Sequence, residues 1–239
     1  MKEVRIKNFA SAVNPTDIVA RSGMIAKFRK ENPVFPCVPG MDVAGIVDQI
    51  GDGVRGDINI GDRVMGMVIP DGDYGAYREQ LVLNQDAVVL APKNTSHEEA
   101  CTLPMNSLTA RLSLDLLNLK PGQVIAVTGG PGAYGGYVIQ LAKADGLKVL
   151  ADSNQDDESL LKDLGADIII SRDKNYVDQV RDHFPNGVDG LADGALLNEK
   201  AIDAVRDGGF FTSIRGFKGL PQRTVSYTHL RAHETLRYL

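Results

Sequence analysis

Glycines 129, 132 and 135 recur every third residue in VTGGPGAYGGYVIQLAK (127–143), between an apolar run and an amphipathic one. Residues without a Cβ let the chain turn sharply and let a bound anion approach the backbone. The spacing therefore points to a pyrophosphate seated on the N–H groups that open a helix. The residues expected against such a cofactor are Gly129, Gly132, Ala133, Tyr134 and Gly135. The alternative is a tight turn that binds nothing; the strand–loop–helix context favours the cofactor. A second constellation lies near the end of the chain, where His229 and His233 stand four residues apart with Glu234 beside the second. On a helix these imidazoles would share one face, the spacing with which zinc hydrolases present two ligands. No third ligand or general-base motif precedes them.

Residues that would choose between cofactors follow the glycine loop. An acidic side chain at the end of the second strand of such a unit grips the ribose hydroxyls of NAD, and Asp152 stands there. Ser153, Asn154 and, one strand later, Arg172 could instead hold the 2′-phosphate of NADP, which Asp152 would repel if it faced it.

The elements that must position these groups fall into two styles. Up to about residue 93 the chain is β-rich, with strand-like runs at 4–9, 43–50, 61–69 and 80–92. Ser96 and Glu99 then form a capping-box signal that opens a helical stretch over 93–119. From Pro121 strands and helices alternate. Strands are expected at 123–128, 148–151, 167–171, 188–194 and 209–214, and helices at 135–146, 156–166, 175–184 and 198–208. Such alternation is the signature of a doubly wound parallel sheet, so the fold class is α/β. The net charge of −5 offers no basic patch for nucleic acid, and no apolar run is long enough to span a membrane. Two separated cysteines, Cys37 and Cys101, suit reduced thiols in the cytoplasm.

Taken in order, SAVNPTDIVARSG (11–23), PGMDVAGIV (39–47), GDRVMG (61–66), LPMNSLTA (103–110), the glycine loop with QLAK (140–143), and LGAD (164–167) resemble the medium-chain dehydrogenase/reductase superfamily, in its zinc-independent quinone oxidoreductase branch. The resemblance covers residues 1 to about 224. It implies a GroES-like catalytic β-domain over 1–93 and a Rossmann dinucleotide-binding domain over 94–224, with hydride transfer in the cleft between them. The implied activity is reduction of a quinone or an α,β-unsaturated carbonyl by NAD(P)H. The branch favours NADP as cofactor, with NAD as the alternative. An enoyl-thioester reductase, or a non-catalytic nucleotide-binding member of the fold, are the competing readings.

Zinc-dependent relatives carry ligands where this chain has Asn14, Met41 and Met105, and no zinc is expected. The resemblance places Asn14 in the substrate pocket, where its amide could stabilise a developing oxyanion; the alternative is a cap before Pro15. It places Thr109 near the nicotinamide; the alternative is an ordinary helix threonine. Asp17 and Asp42 read as holding backbone, and Tyr77 as structural. Val19 occupies a position where relatives often have tyrosine, which bears on substrate class. His97 and His183 read as capping or solvent-side residues.

The family also implies segments that this sequence does not show: part of the β-domain at the start, and a sixth parallel strand after Gly216. Relatives dimerise through that strand, so the full-length form is expected to be a homodimer acting on a small molecule. VSYTHLRAHET (225–235) resembles a translated sequencing adapter, so 225–239 is expected to be an artefactual tail, its histidines without function. The fragment itself is expected to be inactive.

Overall fold

The computed structural model describes residues 2–24, 35–215, 217 and 225–229. The chain divides into two units, one up to residue 105 and one from residue 106.

In the first unit, five antiparallel strands form one sheet. They are β1 (Glu3–Ala10), β2 (Asp42–Ile50), β3 (Arg63–Met67), β4 (Gln80–Asn84) and β5 (Val88–Leu90), in the order β4-β1-β2-β3-β5. Helix α1 (Pro15–Arg21) follows β1, and the short α2 (His97–Ala100) follows β5. Alternate residues of each strand turn to one side. Val4 and Ile6, Val43 and Val47, and Leu81 and Leu83 meet there in a fully or almost fully buried core. The expected strand over 80–92 is two strands, because the Asn84 side chain accepts the Asp86 N–H and turns the chain between them. The expected helix over 93–119 is also interrupted. The capping box at Ser96 and Glu99 is in place, but α3 (Pro104–Leu117) starts afresh at a proline, which suits a first helical position.

The second unit is a six-stranded parallel sheet in the order β11-β10-β9-β6-β7-β8. Its strands are β6 (Val124–Thr128), β7 (Lys148–Ser153), β8 (Ile168–Ser171), β9 (Val188–Asp193), β10 (Val205–Ser213) and β11 (Ser226–His229). Helices α4 (Ala133–Ala144), α5 (Glu158–Asp163), α6 (Tyr176–His183) and α7 (Glu199–Ile202) make the crossovers. Both faces are covered, so successive residues of one strand serve opposite cores. Ile125 and Val127 pack with Val138 and Ile139 of α4, while Ala126 and Leu150 pack with Val180 of α6 and Ile202 of α7. The expected α/β class with a doubly wound sheet is the one observed. β6 runs between β7 and β9, so the chain reverses direction across the sheet at the carboxyl end of β6, the place where such sheets bind ligands.

The largest difference from the expected boundaries lies before the fifth strand of the alternating series. The last helix ends at Ile202, and β10 begins at Val205, because Val205 pairs with Val188 before a shift in register to Phe210. The sheet also has a sixth strand where five were expected. Val225 is buried, and Tyr227 packs against Phe211 and Phe217 with ring centres 5.9 and 5.8 Å away, so a short β-prone run covers the apolar edge of β10.

Candidate dinucleotide and substrate residues

At the end of β6, Gly129 takes φ +71°, in the left-handed region, and Gly132 N–H closes the turn on the Gly129 carbonyl at 2.9 Å. A Cβ on Gly135 would lie 2.3 Å from that same carbonyl oxygen, so the loop and the first turn of α4 can approach only if residue 135 is glycine. Gly132 and Ala133 are exposed at the start of α4, where unpaired backbone N–H groups and the helix dipole favour an anion. These positions suit a pyrophosphate. The side chain of Tyr134 does not, because it is buried and turned into the core. Its hydroxyl lies 2.6 Å from Ser113 Oγ, and burial pushes its pKa up to about 12. Ser113 in turn donates to the Thr109 carbonyl at 3.0 Å, so the turn of α3 carrying Thr109 is tied to the first turn of α4. Thr109 is half-buried.

Asp152 lies one residue before the end of β7, but it faces the loop. Its Oδ1 accepts the Gly129 N–H at 2.6 Å and the Gly130 N–H at 3.3 Å, and its Oδ2 accepts Arg172 Nε at 3.1 Å. Ser153 is buried and donates its hydroxyl to the Asn154 carbonyl at 2.7 Å. Arg172 is 40 % exposed. With Asp152, Lys174, Asn175 and Lys200 it borders a cavity of about 620 Å³ at the carboxyl ends of β7 and β8.

In the first unit, Asn14 is buried at the N-cap of α1 and donates Nδ2 to Asp42 Oδ2 at 2.6 Å. Asp42 Oδ1 accepts the Met105 N–H at 2.7 Å. Burial raises the Asp42 pKa to about 6, against the hydrogen bonds from Asn14 and Met105, which lower it, and with the charge of Asp17, which adds to the rise. Asp17 accepts Gly40 N–H on Oδ1 at 3.0 Å, and on Oδ2 accepts Asn14 N–H at 2.9 Å and the Tyr77 hydroxyl at 3.3 Å. Both aspartates thus hold backbone. Met41 accepts a hydrogen bond on Sδ from Thr16 Oγ1. An amide and two thioethers at positions 14, 41 and 105 do not make a zinc site. Among the described residues, no group of three or more His, Cys, Asp or Glu side chains could hold a metal.

The sequence reading passed over Asp193, which ends β9 fully buried. Its Oδ1 accepts Thr128 Oγ1 at 2.6 Å and Leu197 N–H at 3.0 Å, and its Oδ2 accepts Asn198 N–H at 2.8 Å. This carboxylate ties the end of β6 to the loop after β9. A lone aspartate closing an apolar strand was the available signal. Ser113 carried none. His97 stacks on Phe9 with ring centres 4.9 Å apart, and burial lowers its pKa; it is a packing residue more than a cap. His183 is exposed in the last turn of α6. The side chain of His229, and all of His233 and Glu234, lie outside the described residues. No described helix is long and apolar enough to cross a membrane.

Residues 1–93 match the alcohol dehydrogenase GroES-like domain. The chain is 37% identical over 221 residues to a 2-methylene-furan-3-one reductase of Solanum lycopersicum, covering 90% of this chain and 55% of that protein. It is 32% identical over 221 residues to a chloroplastic NADPH-dependent alkenal/one oxidoreductase of Arabidopsis thaliana, with the same coverage, 90% and 55%. The chain therefore spans about half the length of these relatives. A crystal structure of an alcohol dehydrogenase superfamily protein from Novosphingobium aromaticivorans aligns with a TM-score of 0.88 at 26% identity, covering 98% of this chain and 73% of that one.

Proposed function

We propose that this chain is part of a medium-chain dehydrogenase/reductase and serves a zinc-independent reductase that delivers hydride from NAD(P)H to an α,β-unsaturated carbonyl or a quinone. The relatives' names weigh toward the unsaturated carbonyl. One observation carries the reading. The Gly129 carbonyl leaves no room for a side chain at Gly135, and the exposed Gly132–Ala133 backbone stands at the switch point of a parallel sheet.

A bound nicotinamide dinucleotide supplies the hydride. The glycine loop would hold its pyrophosphate, and Arg172, beside the cavity, would meet the 2′-phosphate of NADP, the preferred cofactor. Thr109 would stand beside the nicotinamide. Asn14, oriented by Asp42, donates to the substrate oxygen as charge develops there, so that no metal is required. A homodimer in the cytoplasm, with Cys37 and Cys101 as reduced thiols, belongs to the same proposal.

One observation favours a second reading, nucleotide binding without turnover: the Asn14 amide is buried and already bonded to Asp42. NADPH oxidation by the full gene product, with an enone panel beside a quinone panel, tests both. Turnover of enones faster than quinones supports the main reading. Saturable NADPH binding without turnover of any acceptor overturns it in favour of the second.

A further inference from the structure

A carboxylate at the end of the second strand that read the adenosine ribose would need an oxygen turned outward. Asp152 is buried, and both of its oxygens are engaged by the protein. Oδ1 gathers the Gly129 and Gly130 N–H groups from beneath the loop. Without it, the buried Gly130 N–H and the half-buried Gly129 N–H would lose their acceptor. Oδ2 receives only Nε of Arg172. Among the described residues no other acceptor meets that guanidinium, so its fork end is left toward the cavity. A planar guanidinium fixed at Nε presents its two terminal nitrogens in a set direction, the geometry that binds phosphate in bidentate fashion.

We infer that Asp152 is a positioning residue, which braces the pyrophosphate loop with one oxygen and aims Arg172 at an adenosine 2′-phosphate with the other. This rests on the dinucleotide-binding reading above. One carboxylate then serves both parts of the cofactor and contacts neither. Because its charge is neutralised by Arg172, its presence at the strand end does not select NAD.

The test is a set of dissociation constants for NADPH, NADH, AMP and adenosine 2′,5′-bisphosphate, measured by calorimetry on the 239-residue chain. Asp152→Ala is expected to weaken both dinucleotides by about tenfold or more, since it removes charge-assisted bonds to the loop, and to weaken NADPH about tenfold further, since Arg172 loses its aim. Loss of NADH binding with NADPH binding kept or improved overturns the inference, because it is the behaviour of a ribose-reading carboxylate. Asp152→Asn keeps an acceptor for the loop and loses the charge that aims Arg172. It is expected to lower affinity for NADPH and for the bisphosphate by about tenfold, and for NADH and AMP by less than about threefold. Arg172→Ala should cost NADPH about tenfold alone and little when added to Asp152→Asn, as one shared function requires. Additive losses overturn the coupling. Should Asp152→Ala fail to fold, the Asp152→Asn and Arg172→Ala cycle decides alone. Failure of the unaltered chain to bind either dinucleotide refutes the proposed function itself, whereas selective loss of NADH in Asp152→Ala refutes only this inference.

Discussion

Asn14 and Met105 converge on one carboxylate, Asp42, which takes Asn14 Nδ2 at 2.6 Å and Met105 N–H at 2.7 Å while fully buried. Residues from the start of α1, the start of β2 and the start of α3 are thereby fixed together inside the first unit.

That carboxylate makes stability depend on pH. Its folded pKa of about 6 lies above the unfolded value, so the folded state binds the proton more tightly and stability rises as pH falls through 6. The gain is complete below the unfolded pKa, near roughly 4. Relative to Asp42→Asn, the wild type is expected to gain about 2 kcal/mol between pH 6.5 and pH 4.5. Urea unfolding of both proteins at the two pH values checks this; a constant difference contradicts it.

Neighbouring glycines of the loop should respond differently to a methyl group. At Gly135 the added Cβ meets backbone, 2.3 Å from the Gly129 carbonyl oxygen, which cannot yield without moving the loop. At Gly132 the nearest atom is 3.2 Å away and φ is −70°. Gly135→Ala is expected to cost about 2–3 kcal/mol, and Gly132→Ala under about 1 kcal/mol. Thermal melts of both variants measure the contrast, and equal losses would count against it.

What could be read before the fold was known follows from periodicity and from backbone need. Alternating short apolar strands and helices announced the parallel sheet, since its strands must be apolar on both faces. The glycine spacing announced the loop, since only a missing Cβ permits the Gly129–Gly135 approach. The direction of a side chain was not legible. Asp152 and Asn14 were found as residues, but whether each faced a ligand or a neighbouring backbone depended on partners distant in sequence, Gly129 and Asp42. Asp193 went unread for the same reason, because its bonds to Thr128 and Leu197 exist only once β6 and β9 lie side by side. β11 lay in a stretch set apart by its resemblance to adapter sequence, and local propensity alone gave it no pairing partner.

Tyr134 and Ser113 should behave as one buried pair. Tyr134→Phe leaves Ser113 its bond to the Thr109 carbonyl and is expected to cost about 1 kcal/mol. With its pKa pushed up to about 12, Tyr134 should stay neutral while exposed tyrosines titrate. Ultraviolet titration of wild type and Tyr134→Phe should therefore coincide up to about pH 10.5; a missing phenolate in the variant below that pH would contradict the burial.

Asp17 holds three donors, whereas Tyr77 contributes one of them through an exposed ring. Asp17→Ala is expected to destabilise the first unit by about 2–4 kcal/mol, because buried N–H groups of Asn14 and Gly40 lose their acceptor, and Tyr77→Phe by about 1 kcal/mol or less. Denaturant midpoints of the two variants rank them, and a Tyr77→Phe loss equal to that of Asp17→Ala would reverse the assignment.

The central claim is that the loop from Gly129 to Gly135 binds a nicotinamide dinucleotide. Titration of NADPH into the chain, followed by calorimetry, tests it most directly. The account predicts one saturable site per chain, competed by adenosine 2′,5′-bisphosphate. Heats that never saturate, or binding unaffected by that competitor, would contradict it.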